Sequence, residues 1–242
     1  MKVSIIIPVY NEARTVSELL QEVFEQSLEL EKEIIIVESN SSDGSRELVR
    51  KFVKENAGIV LILQEKPRGK GFAVREGLRH ATGDIILIQD ADLEYDVQDY
   101  PAVLAPITEG KTAFVLGSRH LSADHWEIRV FEKTPVMARF MNLGGLLFHS
   151  FFNVLYGTRL SDPTTMFKVF RRDCLDHFTL SANRFEFDFE LLGKLIRAGF
   201  IPLEVPVSYE SRGFAEGKKI RIFRDPFLWA FMIIKTRVSP LK

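Results

Sequence analysis

The chain has 242 residues, of which 46% are hydrophobic and 27% are charged, and its formal net charge at pH 7 is −1. This composition is typical of a globular protein with a sizeable core, and the near-neutral charge argues against a general nucleic-acid binder. Cys174 is the only cysteine, which excludes an internal disulfide and a cysteine zinc cluster and fits a reducing compartment.

The first half of the chain alternates short apolar runs with amphipathic helical patterns. The apolar runs predict strands at residues 3–7, 33–37, 59–63 and 85–88. Thr15-Val16-Ser17-Glu18 has the spacing of a capping box, with Thr15 as the N-cap of the first helix. The alternation predicts an α/β protein built on a parallel, right-handed, doubly wound sheet. No G-x-G-x-x-G follows the first run, and Gly71 rather than Ser or Thr follows Lys70, so the sequence has neither a dinucleotide fingerprint nor a P-loop.

The most informative stretch is the acidic segment 89–96, which directly follows the fourth predicted strand. Ligands of open α/β sheets bind at the carboxyl ends of the strands. Asp90 and Asp92 are two residues apart, so their carboxylates can converge on one point, where they repel each other unless a cation lies between them. The pattern favours a magnesium or manganese ion that clamps a diphosphate. An acidic surface turn is the alternative.

The second half of the chain is less regular, and it contains most of the 20 phenylalanines. Its patterns predict a helix at 100–107, a strand at 113–116, a polar irregular segment at 121–133 and a strand at 166–170. Residues 184–190 alternate apolar and acidic side chains, which suggests a strand, whereas 191–198 have helical spacing, so the switch point stays open. Prolines interrupt the strand predicted at 202–209, which places it at a sheet edge.

Residues 136–156 form the longest apolar stretch, VMARFMNLGGLLFHSFFNVLY. Its length approaches the ~20 residues that a membrane span requires. Arg139, Asn142, His149 and Asn153 interrupt it, and these residues are costly inside a bilayer. An amphipathic helix at a membrane surface is one interpretation, and an ordinary buried helix is the other. Residues 227–238 form a second, shorter amphipathic pattern that fits the same surface.

An ordered set of motifs along nearly the whole chain resembles glycosyltransferase family 2, and within it the polyprenyl-phosphate glycosyltransferases, such as dolichol-phosphate mannose synthase and its bacterial relatives. The motifs are Ile6-Ile7-Pro8-Val9-Tyr10-Asn11-Glu12, Val37-Glu38-Ser39-Asn40-Ser41-Ser42-Asp43-Gly44-Ser45, Gly69-Lys70-Gly71, Gln89-Asp90-Ala91-Asp92-Leu93-Glu94-Tyr95-Asp96, Gly117-Ser118-Arg119, Asp162-Pro163-Thr164-Thr165, Phe185-Glu186-Phe187 and Glu216-Gly217-Lys218-Lys219-Ile220. The resemblance implies the GT-A fold as a single domain over 1–242, with a nucleotide-sugar-binding half at 1–120 and an acceptor-binding half at 121–242.

The resemblance assigns Asp90 and Asp92 to a Mg²⁺ or Mn²⁺ ion, with Glu94 as a possible further ligand and Asp92 as a catalytic residue. It also assigns residues to the nucleotide-diphosphate sugar. Tyr10 would stack on the base, Glu12 would accept from the ribose hydroxyls, and Glu38 would accept from a base N–H. The remaining donor-binding assignments are Pro8, Lys70, Asp90 and Ala91, together with Arg212 and Lys218 on the diphosphate. Ser39 and Asn40 stand where relatives carry Asp-Gly, so the base stays open between guanine and uracil.

On the acceptor side, the resemblance places Arg119 on the acceptor phosphate, which suits its planar and permanently charged guanidinium. Asp162 matches a carboxylate near the reacting centre in relatives, although a turn cap before Pro163 explains it equally well. The implied reaction is inverting, metal-dependent transfer of a sugar to a polyprenyl phosphate. A phosphate monoester has a second pKa of about 6, so it needs no strong base, whereas a sugar hydroxyl would need one, with Asp162 or Asp188 as candidates.

Several other functions remain open at this stage. A family 2 transferase with a soluble or polysaccharide acceptor is the main alternative. A sugar-phosphate nucleotidyltransferase would require a Gly-rich loop after the first strand, where Pro8-Val9-Tyr10-Asn11-Glu12 stands instead. A non-catalytic membrane-associated nucleotide-binding protein would not require the Asp90/Asp92 pair. Since no transmembrane segment follows the catalytic part, we expect a cytoplasmic enzyme held peripherally on the cytoplasmic face of a membrane.

Overall fold

The computed structural model describes residues 1–122, 127–129, 135–212 and 224–242. In this part of the chain, strands and helices alternate as the sequence predicts. The strands are β1 (Lys2–Val9), β2 (Glu31–Glu38), β3 (Ile59–Leu63), β4 (Ile85–Ile88), β5 (Phe114–Ser118), β6 (Lys168–Arg171) and β7 (Leu203–Pro206). The helices are α1 (Val16–Glu25), α2 (Ser45–Glu55), α3 (Lys70–His80), α4 (Tyr100–Thr108), α5 (Pro135–Tyr156), α6 (Phe187–Arg197) and α7 (Asp225–Val238).

The strands form one mixed, mostly parallel sheet in the order β3-β2-β1-β4-β6-β5-β7. Strands β1 to β4 pair in parallel, as the alternating pattern predicts. β6 lies between β4 and β5 and is antiparallel to both, and β7 is parallel to β5 at the edge. The edge position predicted from the prolines of 202–209 is confirmed. The doubly wound α/β fold is also confirmed.

The sheet is covered on both faces, which explains the continuous apolar runs in its strands. In β1, Val3, Ile5, Ile7 and Val9 pack against α1, α2 and α4 on one face. Ile6 faces the other side, where buried side chains of α3, α5, α6 and α7 form a second core. The carboxyl ends of β1, β2 and β4 therefore meet at one edge of the sheet, between the two layers of helices.

Two local predictions differ from the structure. Residues 184–186 form no strand, and α6 begins at Phe187. Phe187 and Phe189 of the alternating pattern are buried because they lie in α6, which packs against the second core. Thr15 does lie at the N-cap of α1, but its hydroxyl caps no helix N–H. It donates instead to the carbonyl of Ala91 at 2.7 Å, which ties the loop after β1 to the loop after β4. The irregular segment predicted at 121–133 lies largely outside the described residues.

α5 and α7 each bury one side and expose the other. Ala138, Asn142, His149 and Phe152 form the buried side of α5. The polar residues that interrupt this apolar stretch thus include two that face the interior. α5 and α7 are tied together by a hydrogen bond from the Tyr156 hydroxyl to the carbonyl of Ile233 at 3.1 Å.

Candidate active site

The candidate site lies at the carboxyl edge of the sheet, where the loops after β1, β2 and β4 meet. Three non-glycine residues in these loops have positive φ angles, namely Asn11 at 52°, Asn40 at 55° and Leu93 at 59°. Such conformations are unfavourable and are concentrated at functional sites. The loops also hold one another, because Asn11 N–H donates to Ser41 Oγ at 2.9 Å and Ser42 N–H donates to Asn11 Oδ1 at 2.9 Å.

The two central aspartates lie between two cationic side chains. Lys70 Nζ, at the start of α3, lies 2.8 Å from Asp90 Oδ1. Arg212 Nη2 lies 2.7 Å from Asp92 Oδ2. Burial opposes the charge of Lys70, but Asp188 and Asp90 raise the pKa of Lys70 above its ordinary value. Both cations are therefore charged at neutral pH, and they offset part of the negative charge of the loop.

The charge that remains on the acidic loop fits a bound cation. Burial, Asp90 and Glu94 together raise the pKa of Asp92 to about 7, although Arg212 opposes the shift. Burial is the largest cause of this shift, and the two neighbouring carboxylates add to it. The donor set consists of carboxylate oxygens, which Mg²⁺ and Mn²⁺ prefer. The residues present therefore fit the predicted divalent ion at Asp90 and Asp92.

Glu94 is oriented differently from the two aspartates. Its carboxylate accepts a hydrogen bond from the Tyr209 hydroxyl at 3.0 Å and another from Arg212 N–H at 3.1 Å. These contacts join the acidic loop to the segment after β7, as does the bridge between Tyr95 and Tyr209. The role of Glu94 as a metal ligand stays a prediction.

The guanidinium of Arg212 contacts carboxylates from two loops. In addition to Asp92, its Nη1 lies 2.9 Å from Glu12 Oε2, and its Nε lies 3.6 Å from Glu94 Oε1. The predicted ribose ligand and the predicted diphosphate ligand therefore contact each other directly. Lys218, the other residue predicted on the diphosphate, lies outside the described residues.

The remaining donor-binding predictions divide into two groups. Pro8, Tyr10, Lys70 and Ala91 line the cavity above the acidic loop. Glu38 is fully buried and accepts hydrogen bonds from Asn40 N–H at 3.1 Å and Ser41 N–H at 2.7 Å. These bonds shape the loop after β2, so contact between Glu38 and a base stays a prediction.

The cavity has a volume of about 850 Å³, and its lining has a charged part and an apolar part. At one end lie the charged groups Asp90, Asp92 and Arg212. Another part of the wall comes from α5, α6 and α7 and is mainly apolar, although Asp225 of α7 also lines the cavity. These apolar wall residues are Phe140, Met141, Gly144, Gly145, Phe148, Phe189 and Trp229. The shape suits a ligand with one highly charged end and one apolar end.

Arg119 and Asp162 lie along the same wall. Arg119 Nε donates to Asp162 Oδ2 at 2.7 Å and Nη2 donates to Oδ1 at 2.8 Å. Arg119 lines the cavity, whereas Asp162 is fully buried behind it. Burial alone would raise the pKa of Asp162, but the guanidinium of Arg119 holds it well below its usual range. A carboxylate of this kind is a poor base, and its contacts make it a group that positions Arg119.

His120, His149 and Asp162 form the one set of three potential metal-ligating side chains found among the described residues, with ligand atoms within 4.8 Å of one another. His149 Nε2 lies 3.0 Å from Thr164 Oγ1 and 3.7 Å from Asp162 Oδ1. Burial lowers the pKa of His149 to about 4, so the ring is neutral. Cationic side chains contact the carboxylates of both candidate sites, Arg119 at Asp162 and Lys70 and Arg212 at the acidic loop. The acidic loop stays the predicted metal site because its donors are carboxylate oxygens, which Mg²⁺ and Mn²⁺ prefer.

Sequence reasoning missed Glu204 and Arg129, and it predicted Asp188 only as a candidate base for a hydroxyl acceptor. Glu204, on β7, accepts from Ser161 N–H at 2.8 Å and from Asp162 N–H at 2.9 Å and so fixes the turn that carries Asp162. Asp188 lies between Lys70, at 3.5 Å, and the buried Lys168, at 3.6 Å. Arg129 lines the cavity beside Arg119. Polar and charged side chains of this kind give no signal in the sequence, because charged residues are usually solvated.

α5 and α7 present a continuous set of exposed apolar side chains, which we call the apolar stripe. Its members recur every three or four residues, so they lie on one side of each helix. They are Val136, Phe140, Leu143, Leu147, Phe151 and Val154 on α5 and Phe227, Phe231, Ile234 and Val238 on α7. None of the helices in the described ranges is long and apolar enough to cross a membrane.

Comparison with known proteins agrees with this geometry. The profile of Glycosyl transferase family 2 matches residues 4–179, which is most of the chain. The chain belongs to glycosyltransferase family 2. It is an enzyme of the transferase class with a GT-A fold, and the part of the resemblance that names this family is confirmed.

Solved structures of two sugar-transferring synthases resemble nearly the whole chain. Glucosyl-3-phosphoglycerate synthase from Mycobacterium tuberculosis, in complex with Mn²⁺, UDP and phosphoglyceric acid, has a TM-score of 0.67 at 17% identity, over 99% of this chain and 79% of that one. The same enzyme with Mg²⁺ and UDP has a TM-score of 0.69 at 16% identity, over 99% and 80%. Mannosyl-3-phosphoglycerate synthase from Rubrobacter xylanophilus has a TM-score of 0.69 at 17% identity, over 98% and 73%.

These likenesses concern the fold, since the identities are low. The ions bound in the mycobacterial enzyme are the two predicted for this glycosyltransferase, Mg²⁺ and Mn²⁺. The acceptor in that enzyme is a small phosphorylated acid. The narrower resemblance to polyprenyl-phosphate enzymes has no counterpart among these structures and rests on this chain's own residues.

Proposed function

We propose that this family 2 glycosyltransferase transfers a sugar from a nucleotide-diphosphate sugar to a polyprenyl phosphate, as a peripheral enzyme on the cytoplasmic face of a membrane. The single observation that carries the proposal is the cavity, which leads from the charged loop at Asp90 and Asp92 to the apolar walls of α5 and α7. Phe140 belongs both to that wall and to the exposed apolar stripe. A lipid phosphate matches these two parts of the cavity, because it has a charged head group and an apolar chain.

The charge around the apolar stripe favours a membrane as its partner. Arg139 on α5 and Lys235 and Arg237 on α7 are exposed beside the stripe, and α5 contains no Asp or Glu. Exposed basic residues beside an apolar helix face favour binding to anionic lipids. Isolated exposed apolar residues are normal on a protein surface, but a stripe on two adjoining helices is not.

Donor binding would use the charged end of the cavity. Asp90 and Asp92 would hold Mg²⁺ or Mn²⁺, which when bound would stabilise charge on the leaving diphosphate. Arg212 and Lys70 are already charged and close to these aspartates, so they would act on the same diphosphate. Tyr10 is partly exposed at the cavity wall and is suited to stack on the base.

Acceptor binding would use Arg119, and no general base is required. A phosphate monoester is mostly ionised at neutral pH because its second pKa is about 6. The lowered pKa of Asp162 is consistent with this, since such a carboxylate would remove a proton poorly. Asp188 is equally unsuited to act as a base because it is buried between Lys70 and Lys168. A site with two buried, ion-paired carboxylates suits an acceptor that arrives already charged.

A soluble phosphorylated acceptor is the second candidate. The observation that favours it is the likeness to a glucosyl-3-phosphoglycerate synthase in complex with phosphoglyceric acid. The same arginine would bind the phosphate of either acceptor. The candidates differ in the use of the apolar end of the cavity, which phosphoglycerate would leave empty.

The test is transfer of label from a panel of nucleotide sugars into organic-extractable lipid. The reaction contains polyprenyl phosphate and Mn²⁺, with a chelator control and an Asp92→Asn variant. The proposal predicts chelator-sensitive label in the lipid for one donor, and loss of that label in the variant. Metal-dependent nucleotide binding without any lipid label, for every donor, would contradict the lipid acceptor.

A further inference from the structure

Arg129 is the second arginine of the cavity, and within the described ranges no carboxylate forms a salt bridge with it. It lines the cavity together with Arg119. Its Nε is buried without a hydrogen-bond partner among the described residues. Burial and the positive charge of Arg119 lower the pKa of Arg129. Asp162 is already bound to Arg119 by two hydrogen bonds. The part of the cavity lined by Arg119 and Arg129 therefore carries an excess of positive charge.

Asn142, a residue of α5, holds the backbone of Arg129 in place. The side chain of Asn142 is buried and binds both backbone groups of Arg129. Arg129 N–H donates to Asn142 Oδ1 at 3.1 Å, and Asn142 Nδ2 donates to the Arg129 carbonyl at 3.0 Å. One amide thus satisfies a donor and an acceptor of the same residue, which fixes the backbone of that residue against the helix.

α5 also leaves space for the guanidinium of Arg129, because residue 145 is a glycine. A Cβ at Gly145, one turn after Asn142, would lie 3.3 Å from Arg129 Nη1. The guanidinium therefore lies close over the helix backbone at a glycine. Asn142 and Gly145 act on the two ends of the same arginine, one on its backbone and one on its side chain.

We propose that Asn142 is a positioning residue that holds Arg129 in the cavity beside Arg119, so that the two guanidiniums together form the anion subsite for the acceptor phosphate. This rests on the proposed function as far as the acceptor is concerned. The same helix carries the apolar stripe on its other side, so the element that meets the membrane also holds one of the phosphate-binding groups. Asn142 itself is not among the residues that line the cavity.

The test measures anion binding by titration calorimetry on the full chain, with inorganic phosphate and hexyl phosphate as probes. Asn142→Leu removes both hydrogen bonds and is expected to weaken binding of hexyl phosphate about tenfold, as loss of a well-placed charged hydrogen bond does. Mn²⁺-dependent binding of UDP or GDP is expected to stay unchanged. If Asn142→Leu does not fold, Asn142→Ala removes the same bonds without adding bulk.

A double-mutant cycle separates positioning from a general loss of structure. In an Arg129→Gln background, Asn142→Leu should have no further effect on phosphate affinity, because it acts only through Arg129. Asn153→Leu is the matched control. Asn153 makes the same two-sided clamp from the same helix, with Nδ2 2.8 Å from the Leu160 carbonyl and Oδ1 2.9 Å from Leu160 N. The Asn153→Leu protein should lose about as much thermal stability as the Asn142→Leu protein, but its phosphate affinity should not change.

The outcomes are distinct. Equal affinities of wild type and Asn142→Leu, or full additivity with Arg129→Gln, would overturn the role of Asn142 and leave the proposed acceptor class intact. Failure of the wild type to bind either probe while it binds nucleotide would overturn the anion subsite itself. Binding of inorganic phosphate but not of hexyl phosphate would retain the subsite and the role of Asn142, and would remove the lipid phosphate as acceptor.

Discussion

The guanidinium of Arg119 and the carboxylate of Asp162 form a two-point ion pair, at 2.7 and 2.8 Å, with the carboxylate fully buried behind the cavity wall. The backbone N–H of Arg119 donates to the same carboxylate at 3.1 Å. Asp162 therefore fixes both the backbone and the side chain of Arg119, which lines the cavity. This geometry gives Asp162 a role that needs no proton transfer.

Replacement of Asp162 by Asn should cost both stability and acceptor binding. It leaves the Arg119 guanidinium in a buried site without its counter-ion, and breaking a buried pair in this way typically costs about 3–5 kcal/mol of unfolding free energy. The acceptor KM should rise more than the donor KM. Urea unfolding and steady-state kinetics measure the two effects.

Asp173→Asn is the control for this variant. Asp173 pairs with Arg171 on the surface, where both side chains are about half exposed, and pairs of this kind contribute about 0–1 kcal/mol. If Asp162→Asn were no more destabilising than Asp173→Asn, the anchoring role of Asp162 would be wrong.

His149 should make the protein less stable at acidic pH. Burial lowers its pKa in the folded state from 6.5 to about 4. The unfolded chain therefore binds a proton that the folded chain refuses, and stability present above pH 6.5 is lost as the pH falls toward 4. The loss is expected to be about 3 kcal/mol by pH 4. His149→Gln keeps a hydrogen-bonding side chain near Thr164 and should flatten the curve. If the wild type and His149→Gln showed the same pH dependence of unfolding, the lowered pKa of His149 would be refuted.

Charged substitutions on the apolar stripe should abolish binding to membranes. Leu147 on α5 and Phe231 on α7 are 65% and 62% exposed, so glutamate at either position is tolerated by the fold. We expect Leu147→Glu combined with Phe231→Glu to lose sedimentation with anionic vesicles and to keep metal-dependent nucleotide binding. Ile201→Glu is the control, because Ile201 is also exposed, at 57%, but lies outside the stripe. Equal vesicle binding by all three proteins would exclude the stripe as the membrane contact.

Gly71→Ala should disturb the start of α3 and with it Lys70. A Cβ at Gly71 would lie 2.5 Å from Phe187 Cβ and 2.7 Å from the Ala182 carbonyl oxygen. Overpacking of this kind typically costs about 1–3 kcal/mol. Thermal unfolding measures the loss.

Gly144→Ala is the matched control for this substitution. Its Cβ would meet nothing within 4 Å, and alanine stabilises a helix interior by about 1 kcal/mol relative to glycine. A stable Gly71→Ala protein with unchanged nucleotide affinity would contradict the close packing of α3 on α6.

Much of the fold follows from short-range patterns in the sequence. The runs at 59–63 and 85–88 match β3 and β4 residue for residue. β4 is fully buried, and strands buried on both faces are continuously apolar. The insertion of β6, antiparallel, between β4 and β5 was not predicted. It depends on pairing between residues more than 80 positions apart in the chain, as Ile85 and Arg171 are, and no local pattern records such a pairing.

The candidate site was predictable where motifs carry it. Asp90, Asp92, Arg119 and Arg212 all line one cavity. No sequence motif marks Arg129 or Asn142 as part of a site, although Asn142 is a polar residue within an apolar stretch. Its partner is a backbone 13 residues away, so only the folded geometry reveals what the amide binds.

The central claim is that the acceptor is a lipid phosphate rather than a soluble one. The most direct measurement is a competition in which one labelled nucleotide sugar is offered to polyprenyl phosphate in anionic vesicles and to 3-phosphoglycerate in solution, with Mn²⁺ present. The account predicts that label partitions into the organic phase, and that a chelator abolishes it. Label found only in the aqueous phase, on phosphoglycerate, would contradict the lipid acceptor and would leave the metal site and the fold unchanged.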